Sequence, residues 1–149
     1  MVIKKRKSES KILVKKIQNS DHLDCALALR RQVFVEEQHC PPELEYEFEE
    51  ESIHFLASID DIPAGTARWR RTNEGYKLER FAVLNDFRGK GLGQELVRAV
   101  LADLPIGADC VYLHAQVTAM GLYEKFGFQK MGSPFEEAGI QHYKMILKN

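Results

Sequence analysis

The segment RGKGLGQELV, residues 88–97, restricts the fold of this chain more than any other feature. Its first six residues contain three glycines and two basic side chains, and a helical apolar pattern follows at once. Glycines let successive backbone N–H groups point into one concavity, and the start of a helix adds a partial positive charge. The segment therefore predicts a site for a pyrophosphate bound without metal. The alternative is an ordinary glycine-rich turn between a strand and a helix.

Two common nucleotide-binding motifs do not fit this segment. A Walker A loop requires a hydroxyl residue directly after its Gly-Lys pair, and neither Ser nor Thr follows Lys90. A dinucleotide-binding fingerprint needs a small last residue, where this chain has Leu96 or Gln94, depending on the glycine at which the motif starts. The sequence therefore excludes both classes.

Composition predicts one soluble domain. The chain has 149 residues, of which 44% are hydrophobic and 29% charged, and its formal net charge is −1. The basic run at 4–11 contains no aromatic residue, so we expect residues 1–10 to form a flexible, solvated tail rather than a nucleic-acid site. The domain itself is expected over 11–149, with no nucleic-acid partner.

Cysteine usage and hydropathy indicate the compartment. The three cysteines form no CxxC pair and leave one over, which argues for a reducing cytoplasm and against a zinc site or a disulfide framework. Apolar runs near the N-terminus are too short for a signal peptide or a membrane helix. We expect a cytoplasmic protein without metal and without a membrane partner. The sequence leaves the oligomeric state open, and a homodimer is one of the assemblies it permits.

Periodicity and turn residues predict an α/β (α+β) fold. Strands are expected over 11–18, 52–60, 65–72, 76–84, 110–116, 128–135 and 141–148. Helices are expected from an N-cap at Ser20 to about Gln38, from the glycine loop to Leu104, and from a cap at Thr118 to Gly127. The second to fourth strands should form an antiparallel meander. The whole should be one mixed, mostly antiparallel sheet flanked by helices.

Several motifs together resemble one protein family. The pattern Arg88-x-x-Gly91-x-Gly93, between a strand ending in FAV and an amphipathic helix, is similar to the acyl-CoA loop of the GNAT superfamily of N-acetyltransferases. The downstream segment LYEKFGF resembles the superfamily's closing motif. The segments LRRQVFVEEQ, LHAQ and FEEAGIQHYKM resemble its ElaA-like branch more narrowly, and the resemblance covers residues 11–147.

The resemblance implies where an acyl-CoA molecule binds. The strands at 76–84 and 110–116 should splay apart, with the pantetheine arm in the gap between them. A backbone N–H near Val83 would face the thioester oxygen. The residues expected to bind the cofactor are Phe81, Ala82, Val83, Arg88, Gly89, Lys90, Gly91, Leu92, Gly93 and Gln116.

The resemblance also implies a reaction, in which a small-molecule primary amine attacks the thioester of acetyl-CoA directly. Tyr123 matches the family's usual general acid, which protonates the leaving thiolate. The alternative for Tyr123 is a helix residue that packs beside Phe126. A protein that binds acyl-CoA without turnover is the alternative function, because it would need the loop but neither Tyr123 nor a base.

The first candidate base is Glu79, four residues before Val83. Strand alternation predicts that Glu79, Phe81 and Val83 share one face of the sheet. The alternative is that Glu79 forms a structural ion pair with Arg68 or Arg80.

Three histidines compete with Glu79 for the role of base. His54, His114 and His142 all lie in predicted strands, where a histidine is usually a hydrogen-bonded structural residue. His142 is the favoured one, because it lies in the ElaA-like segment GIQHYKM. A covalent acyl-cysteine route through Cys110 is disfavoured, because no base lies near it in the sequence.

The acidic segment Glu43–Glu51 suggests the character of the acceptor. Its glutamates, which include Glu47, Glu49, Glu50 and Glu51, would attract a cationic amine if they lined the rim of the pocket. The alternative is a solvated loop that is anchored by the apolar side chains Leu44, Tyr46 and Phe48.

Overall fold

A computed structural model describes residues 11–42 and 47–148 of the chain. The predicted basic tail and residues 43–46 of the acidic segment lie outside the described residues. The strands are β1 (Ile12–Lys16), β2 (Ile53–Ile59), β3 (Ile62–Thr72), β4 (Gly75–Val83), β5 (Val111–Gln116), β6 (Phe128–Glu137) and β7 (Ile140–Leu147). The helices are α1 (Ser20–Arg30), which continues as a π-helix (Arg31–Glu37), α2 (Leu92–Asp103) and α3 (Met120–Glu124).

The seven strands form one sheet in the order β1-β2-β3-β4-β5-β7-β6. Every neighbouring pair is antiparallel except β4 and β5, which are parallel. The predicted fold class is therefore confirmed, including the antiparallel meander of β2, β3 and β4. None of the helices within the described ranges is both long enough and apolar enough to cross a membrane.

Helices cover both faces of the sheet. The apolar stripe of α2 is buried on one face, in the cluster that contains Leu92, Leu96, Val97 and Val100 together with strand residues such as Leu78. On the other face, Leu29 and Val33 of α1 and its π-helical extension pack against Ala82 of β4. Successive residues of a strand point to opposite faces, so β4 contributes side chains to both layers.

Three sequence-based boundaries were wrong in detail. Asn19 caps α1 instead of Ser20, because the Asn19 side chain accepts a hydrogen bond from the His22 backbone N–H at 2.8 Å. Thr118 lies within a 3-10 turn (Val117–Ala119) that precedes α3, and no side chain caps that helix. Strand β3 begins at Ile62 and not at residue 65 as predicted, because the turn between β2 and β3 consists of residues 60–61 alone.

The parallel pair of β4 and β5 is short. The two strands pair only where Tyr76–Leu78 lies beside Val111–Leu113. Beyond that point β4 stays with β3 as far as Val83, whereas β5 stays with β7 as far as Gln116. The strands therefore separate toward their carboxyl ends, as the family resemblance implied.

A β-bulge at Arg80 changes the predicted faces of β4. Arg80 has a positive φ of 59°, and the β3–β4 register shifts at this position, so that Arg68 pairs with Glu79 and Thr66 pairs with Ala82. Phe81 packs with the α2 layer, whereas Glu79 lies with Arg68 on the opposite face. The prediction that Glu79 and Phe81 share a face was therefore wrong, because the extra residue of the bulge reverses the alternation.

Gly75 brings β4 close to the start of β5, and this contact generates a prediction. A Cβ atom at Gly75 would lie 2.3 Å from the Cys110 carbonyl oxygen, and its φ is +144°. We expect Gly75→Ala to lower the free energy of unfolding by about 2–5 kcal/mol, through backbone strain and overpacking. Urea denaturation measures this loss.

Gly107→Ala is the matched control for Gly75→Ala. Gly107 also has a positive φ, of +81°, but a Cβ atom there would meet nothing within 4 Å. The control substitution should therefore lower the free energy of unfolding only through backbone strain, by on the order of 1 kcal/mol. Equal losses in the two variants would show that the contact of Gly75 with Cys110 does not restrict the β4–β5 junction.

Candidate active site

A cavity of about 330 Å³ opens where β4 and β5 separate. It lies between the two strands, the π-helical extension of α1, α3 and the β6–β7 hairpin. Eight of the predicted site residues line it: Glu79, Phe81, Ala82, Val83, Arg88, Gln116, Tyr123 and His142. The other five, Gly89, Lys90, Gly91, Leu92 and Gly93, lie in the glycine loop and do not line the cavity. The structure therefore brings the candidate acid and three of the four candidate bases, Glu79, His114 and His142, to one cavity.

Tyr123 is buried between aromatic rings at one wall of the cavity. Its ring makes edge contacts with Phe81 and Phe128, with centroids 5.5 Å and 6.2 Å away. No described residue hydrogen-bonds to the hydroxyl group, and burial raises the pKa of the Tyr123 phenol above its ordinary value. The phenol is therefore protonated at neutral pH and can donate its proton within the cavity.

The glycine loop has the backbone geometry of an anion site. Gly91 caps α2 in the left-handed conformation, with a φ of 92°. Within the described part of the chain, the backbone N–H groups of residues 89–94 donate no hydrogen bond. A Cβ atom at Gly89 or Gly91 would meet nothing within 4 Å, so the surface over the loop is open. Unpaired N–H groups at a helix start are suited to hold a phosphate.

Arg88 connects the glycine loop to the end of the π-helix. Its Nε donates to the Val83 carbonyl oxygen at 2.9 Å, and its two terminal nitrogens each lie 2.9 Å from a carboxylate oxygen of Glu37. The next residue, Gln38, accepts a hydrogen bond from the Gln116 side chain at 2.9 Å. These contacts hold the end of the π-helix over the gap between the two strands.

The π-helix shapes the cavity wall. The backbone N–H of Gln38 donates to the carbonyl oxygen of Val33 at 3.1 Å, five residues back, so the helix is wider here than an α-helix. Val33, Phe34 and Gln38 all line the cavity. The sequence predicted a helix over this segment but not its widening.

Glu79 lies in a buried network of charges. Its Oε1 is 2.8 Å from a terminal nitrogen of Arg68 and accepts a hydrogen bond from Arg70 at 2.6 Å, and Lys77 lies 3.5 Å from its Oε2. Burial alone would raise the pKa of Glu79, but Arg68, Lys77 and Arg70 lower it to about 2. The structural ion pair with Arg68, which the sequence left open as an alternative, is present.

The same network extends to Glu49. Arg30, only 1% exposed, donates to both carboxylate oxygens of Glu49, at 2.7 Å and 2.9 Å, and Arg68 lies 3.2 Å from one of them. His54 also belongs here, because its Nε2 lies 3.0 Å from the backbone carbonyl oxygen of Glu49. Burial lowers the pKa of His54, and this histidine does not line the cavity.

The prediction that Glu49 belongs to an acidic rim that attracts a cationic amine was therefore wrong. Its carboxylate is bound to two arginines and cannot attract a distant cation. Phe48 beside it lies under the Arg70 guanidinium, 3.9 Å from its ring centroid, which agrees with the alternative that apolar side chains anchor this loop. Glu47 lines the cavity, and Glu50 and Glu51 are exposed.

Two histidines and a glutamate form a second polar cluster in the cavity. Glu137 lies between them, with one carboxylate oxygen 3.6 Å from Nδ1 of His114 and the other 3.6 Å from Nε2 of His142. The contact with His114 lowers the pKa of Glu137, against the effect of its partial burial. Phe135 packs between the rings, 5.0 Å from the His114 centroid and 5.9 Å from that of His142.

The hydrogen bond of His142 determines its tautomer. Its Nδ1 lies 2.7 Å from the Ile140 carbonyl oxygen, which can only accept, so Nδ1 carries a proton. In the neutral ring, Nε2 then carries the lone pair, and this is the atom near Glu137. His142 therefore presents a proton acceptor to the cavity.

Sequence reasoning missed Glu137 and Lys77, both of which line the cavity. Glu137 lies in the ElaA-like segment from which His142 was selected, so the motif alone was a sufficient signal to include it. No comparable signal marks Lys77. Over the described ranges, no group of three or more His, Cys, Asp or Glu residues could hold a metal ion.

Comparison with known proteins identifies the family. The sequence model of the acetyltransferase (GNAT) domain matches residues 6–149. A Bacillus subtilis (strain 168) protein whose name marks it as a candidate acetyltransferase is 39% identical over 143 residues, which are 91% of this chain and 96% of the relative. The chain therefore belongs to the GNAT acetyltransferase family, and it is an acyl-CoA-dependent acetyltransferase.

Solved structures assign the chain to a narrower branch within this family. Escherichia coli ElaA superposes with a TM-score of 0.77 at 26% identity, over 93% of this chain and 99% of ElaA. An acyl-CoA N-acyltransferase from Pseudomonas aeruginosa superposes with a TM-score of 0.77 at 28% identity, over 93% of this chain and 99% of that one. The protein is a member of the ElaA-like branch, as its motifs implied.

The low pKa of Glu79 predicts how stability depends on pH. The folded-state pKa of about 2 lies below the ordinary value of 4.5, so Glu79 contributes stability above pH 4.5 that is lost as the pH falls toward 2. The contribution is about 3 kcal/mol at full ionisation. Urea unfolding between pH 6 and pH 2.5 should therefore show a flatter pH dependence for Glu79→Gln than for the parent.

Glu50→Gln, at an exposed position, is the control and should keep the pH dependence of the parent. The Glu79→Gln protein should also be less stable at pH 6, because the buried Arg68 and the half-buried Arg70 both lose their ion pair with Glu79. The same slope in Glu79→Gln and in the parent would contradict the assigned role of this carboxylate.

Proposed function

We propose that this acetyltransferase moves an acetyl group from acetyl-CoA to the primary amine of a small molecule, by direct attack of the amine on the thioester. The observation that carries the proposal is the gap between β4 and β5, which opens beside Tyr123 and His142 in one cavity. Bound acetyl-CoA supplies the activated acetyl group. The chain supplies the binding site, a proton donor and a proton acceptor.

Backbone groups hold the CoA in this proposal. The edge of β4 at Phe81, Ala82 and Val83 has no ladder partner on β5, so it can pair with the amides of a pantetheine arm as a further strand would. The open N–H groups of residues 89–94 hold the pyrophosphate. Lys90 is exposed and adds a full positive charge next to them.

Arg88 has a different part in this proposal from the one that the sequence suggested. Its guanidinium is occupied by Glu37 and the Val83 carbonyl oxygen, so its first role is to hold the loop and the π-helix together. The positive charge still lies beside the loop, and it adds to the electrostatic attraction of a pyrophosphate.

Tyr123 is the proposed general acid. Its phenol is protonated and lines the cavity where β4 and β5 separate, so it is placed to donate a proton to a leaving thiolate. As the new C–N bond forms and the C–S bond breaks, the phenol proton passes to sulfur. Bulk solvent restores the proton after the product leaves.

His142 is the proposed base, and Glu79 is not. A carboxylate with a pKa of about 2, bound to Arg68 and Arg70, is too weak a base to take a proton from an amine near neutral pH. An imidazole is ordinarily a stronger base than a carboxylate, and the Nε2 lone pair of His142 faces the cavity. In this proposal Glu79 has a structural role instead, because its ion pairs with Arg68 and Arg70 hold β4 in position.

The proposed reaction can be tested by incubating the protein with acetyl-CoA and a panel of primary amines. Thiol release and the mass of the product are followed together. The proposal expects release that depends on both substrates and an acetylated amine as the product. A protein that binds CoA but releases no thiol with any amine would be the alternative, an acyl-CoA-binding module.

Gly91→Val tests the pyrophosphate site. A β-branched side chain at this left-handed position stands in the open space over the loop N–H groups. Loss of two charge-assisted hydrogen bonds should weaken CoA binding about 10²–10⁴-fold in isothermal titration calorimetry. Gly107→Val introduces the same side chain at another open position with a positive φ, and it should bind CoA like the parent. Unchanged affinity in folded Gly91→Val protein would refute the site.

Tyr123→Phe tests the general acid. The variant keeps the ring and its contacts with Phe81 and Phe128 but loses the proton. Turnover should fall about 10²–10⁴-fold, the usual range for acid–base catalysis, with little change in acetyl-CoA affinity. Turnover within a few-fold of the parent would mean that the tyrosine only packs and that solvent protonates the thiolate.

A further inference from the structure

Strand pairing brings residues from three different strands to one side of the cavity. Gln116 of β5 lies opposite His142 of β7, and Phe135 of β6 lies opposite His142 on its other side. The hairpin that joins β6 and β7 then places Glu137 beside both His114 and His142. This cluster lines the same cavity as Tyr123 but takes no part in holding CoA as described above.

The cluster has hydrogen-bonding capacity that the described residues do not use. Both Glu137–histidine distances are 3.6 Å, which is longer than a hydrogen bond. The Nδ1 atom of His114 is buried without a hydrogen-bond partner in the described part of the chain. The side chain of His142 is only 9% exposed, and in its neutral form Nε2 is an acceptor that faces another acceptor, Glu137.

Two acceptors that face each other require a donor between them or a proton on the histidine. An ammonium group carries three N–H donors, so it can donate to the Glu137 carboxylate and to His142 Nε2 together. The carboxylate is ionised for this purpose, because its contact with His114 lowers its pKa. The charge of Lys77 on β4 also lowers the pKa of Glu137.

We propose that Glu137, with His114 and His142, forms the subsite that binds the ammonium group of a small cationic acceptor. The inference rests on the proposed function, in which an amine is the second substrate. Glu137 selects the cationic amine over neutral molecules of the same shape. One proton then passes from the ammonium nitrogen to Nε2 of His142, which leaves the amine lone pair for attack. His142 releases that proton to bulk solvent, and its Nε2 then accepts the second proton, which the nitrogen loses after the C–N bond has formed.

Amine binding can be measured without turnover. The full-length protein, labelled with ¹⁵N-histidine and saturated with CoA, is titrated with methylamine, 1,4-diaminobutane and benzylamine and with the corresponding alcohols, and the imidazole NMR signals are followed. We expect at least one amine to shift the His114 and His142 signals saturably, and no alcohol to do so. The His54 signals should not move, because His54 lies outside the cavity.

Glu137→Gln should weaken the binding of that amine about ten- to hundredfold, as expected for loss of a charge-assisted hydrogen bond. Glu136→Gln is the matched control, because Glu136 is the neighbour on the same strand, is exposed like Glu137 and does not line the cavity. CoA affinity should be the same in both variants, which also shows that each is folded.

Each outcome supports or overturns the subsite. Equal shifts by amines and alcohols, no shift by any amine, or equal amine affinity in Glu137→Gln and the parent would each overturn it. In turnover assays, Glu137→Gln should raise KM for the amine and leave KM for acetyl-CoA unchanged. Amine binding that depends on Glu137 without acetyl transfer would refute the proposed function alone. Acetyl transfer with an unchanged amine KM in Glu137→Gln would refute the subsite alone.

Discussion

The short parallel pairing of β4 and β5 is the constraint on which the rest of the structure depends. Close approach of Gly75 to the Cys110 carbonyl begins the pairing, and the bulge at Arg80 lies just beyond its last residue on β4. Beyond this pairing, β4 continues beside β3 and β5 continues beside β7. The two strands therefore separate while each stays hydrogen-bonded to its outer neighbour. The opening places an unpaired strand edge beside Tyr123, and the helix that follows β4 presents its free N–H groups at the mouth of the opening.

The buried charges hold this opening in shape. Arg30, Glu49, Arg68 and Glu79 form a continuous series of ion pairs from α1, through the loop before β2, to the wall of the cavity. Such a series is a weak argument for net stability, since desolvation of the charges opposes their attraction. Each member is nevertheless costly to remove alone, so the network fixes β4 relative to α1. In the proposed mechanism, this role lets Glu79 line the cavity without serving as the base.

The sequence predicted the fold and eight of the residues that line the cavity, because those depend on local signals and on motifs. Apolar periodicity identified α2 and the strands, and the glycine loop with Tyr123 identified the family. What the sequence did not reveal depends on register. The bulge at Arg80 moved Glu79 to the other face, and only the pairing of β6 with β7 brings Glu137 to His114 and His142. The role of Glu49 depended on Arg30 and Arg68, which are distant in sequence, so the charge pattern of its own segment was misleading.

Amide hydrogen exchange with and without acetyl-CoA tests the central claim most directly, that the opened edge of β4 and the glycine loop form the acyl-CoA site. The account predicts slower exchange on binding at residues 79–83 and 88–94. It predicts little change at Tyr76–Leu78, which are already paired with β5. The edge strand β1 should also be unaffected, because it lies three strands away from β4 and does not line the cavity. Protection confined to β6 and the outer strands, with none along β4 or the glycine loop, would contradict the account.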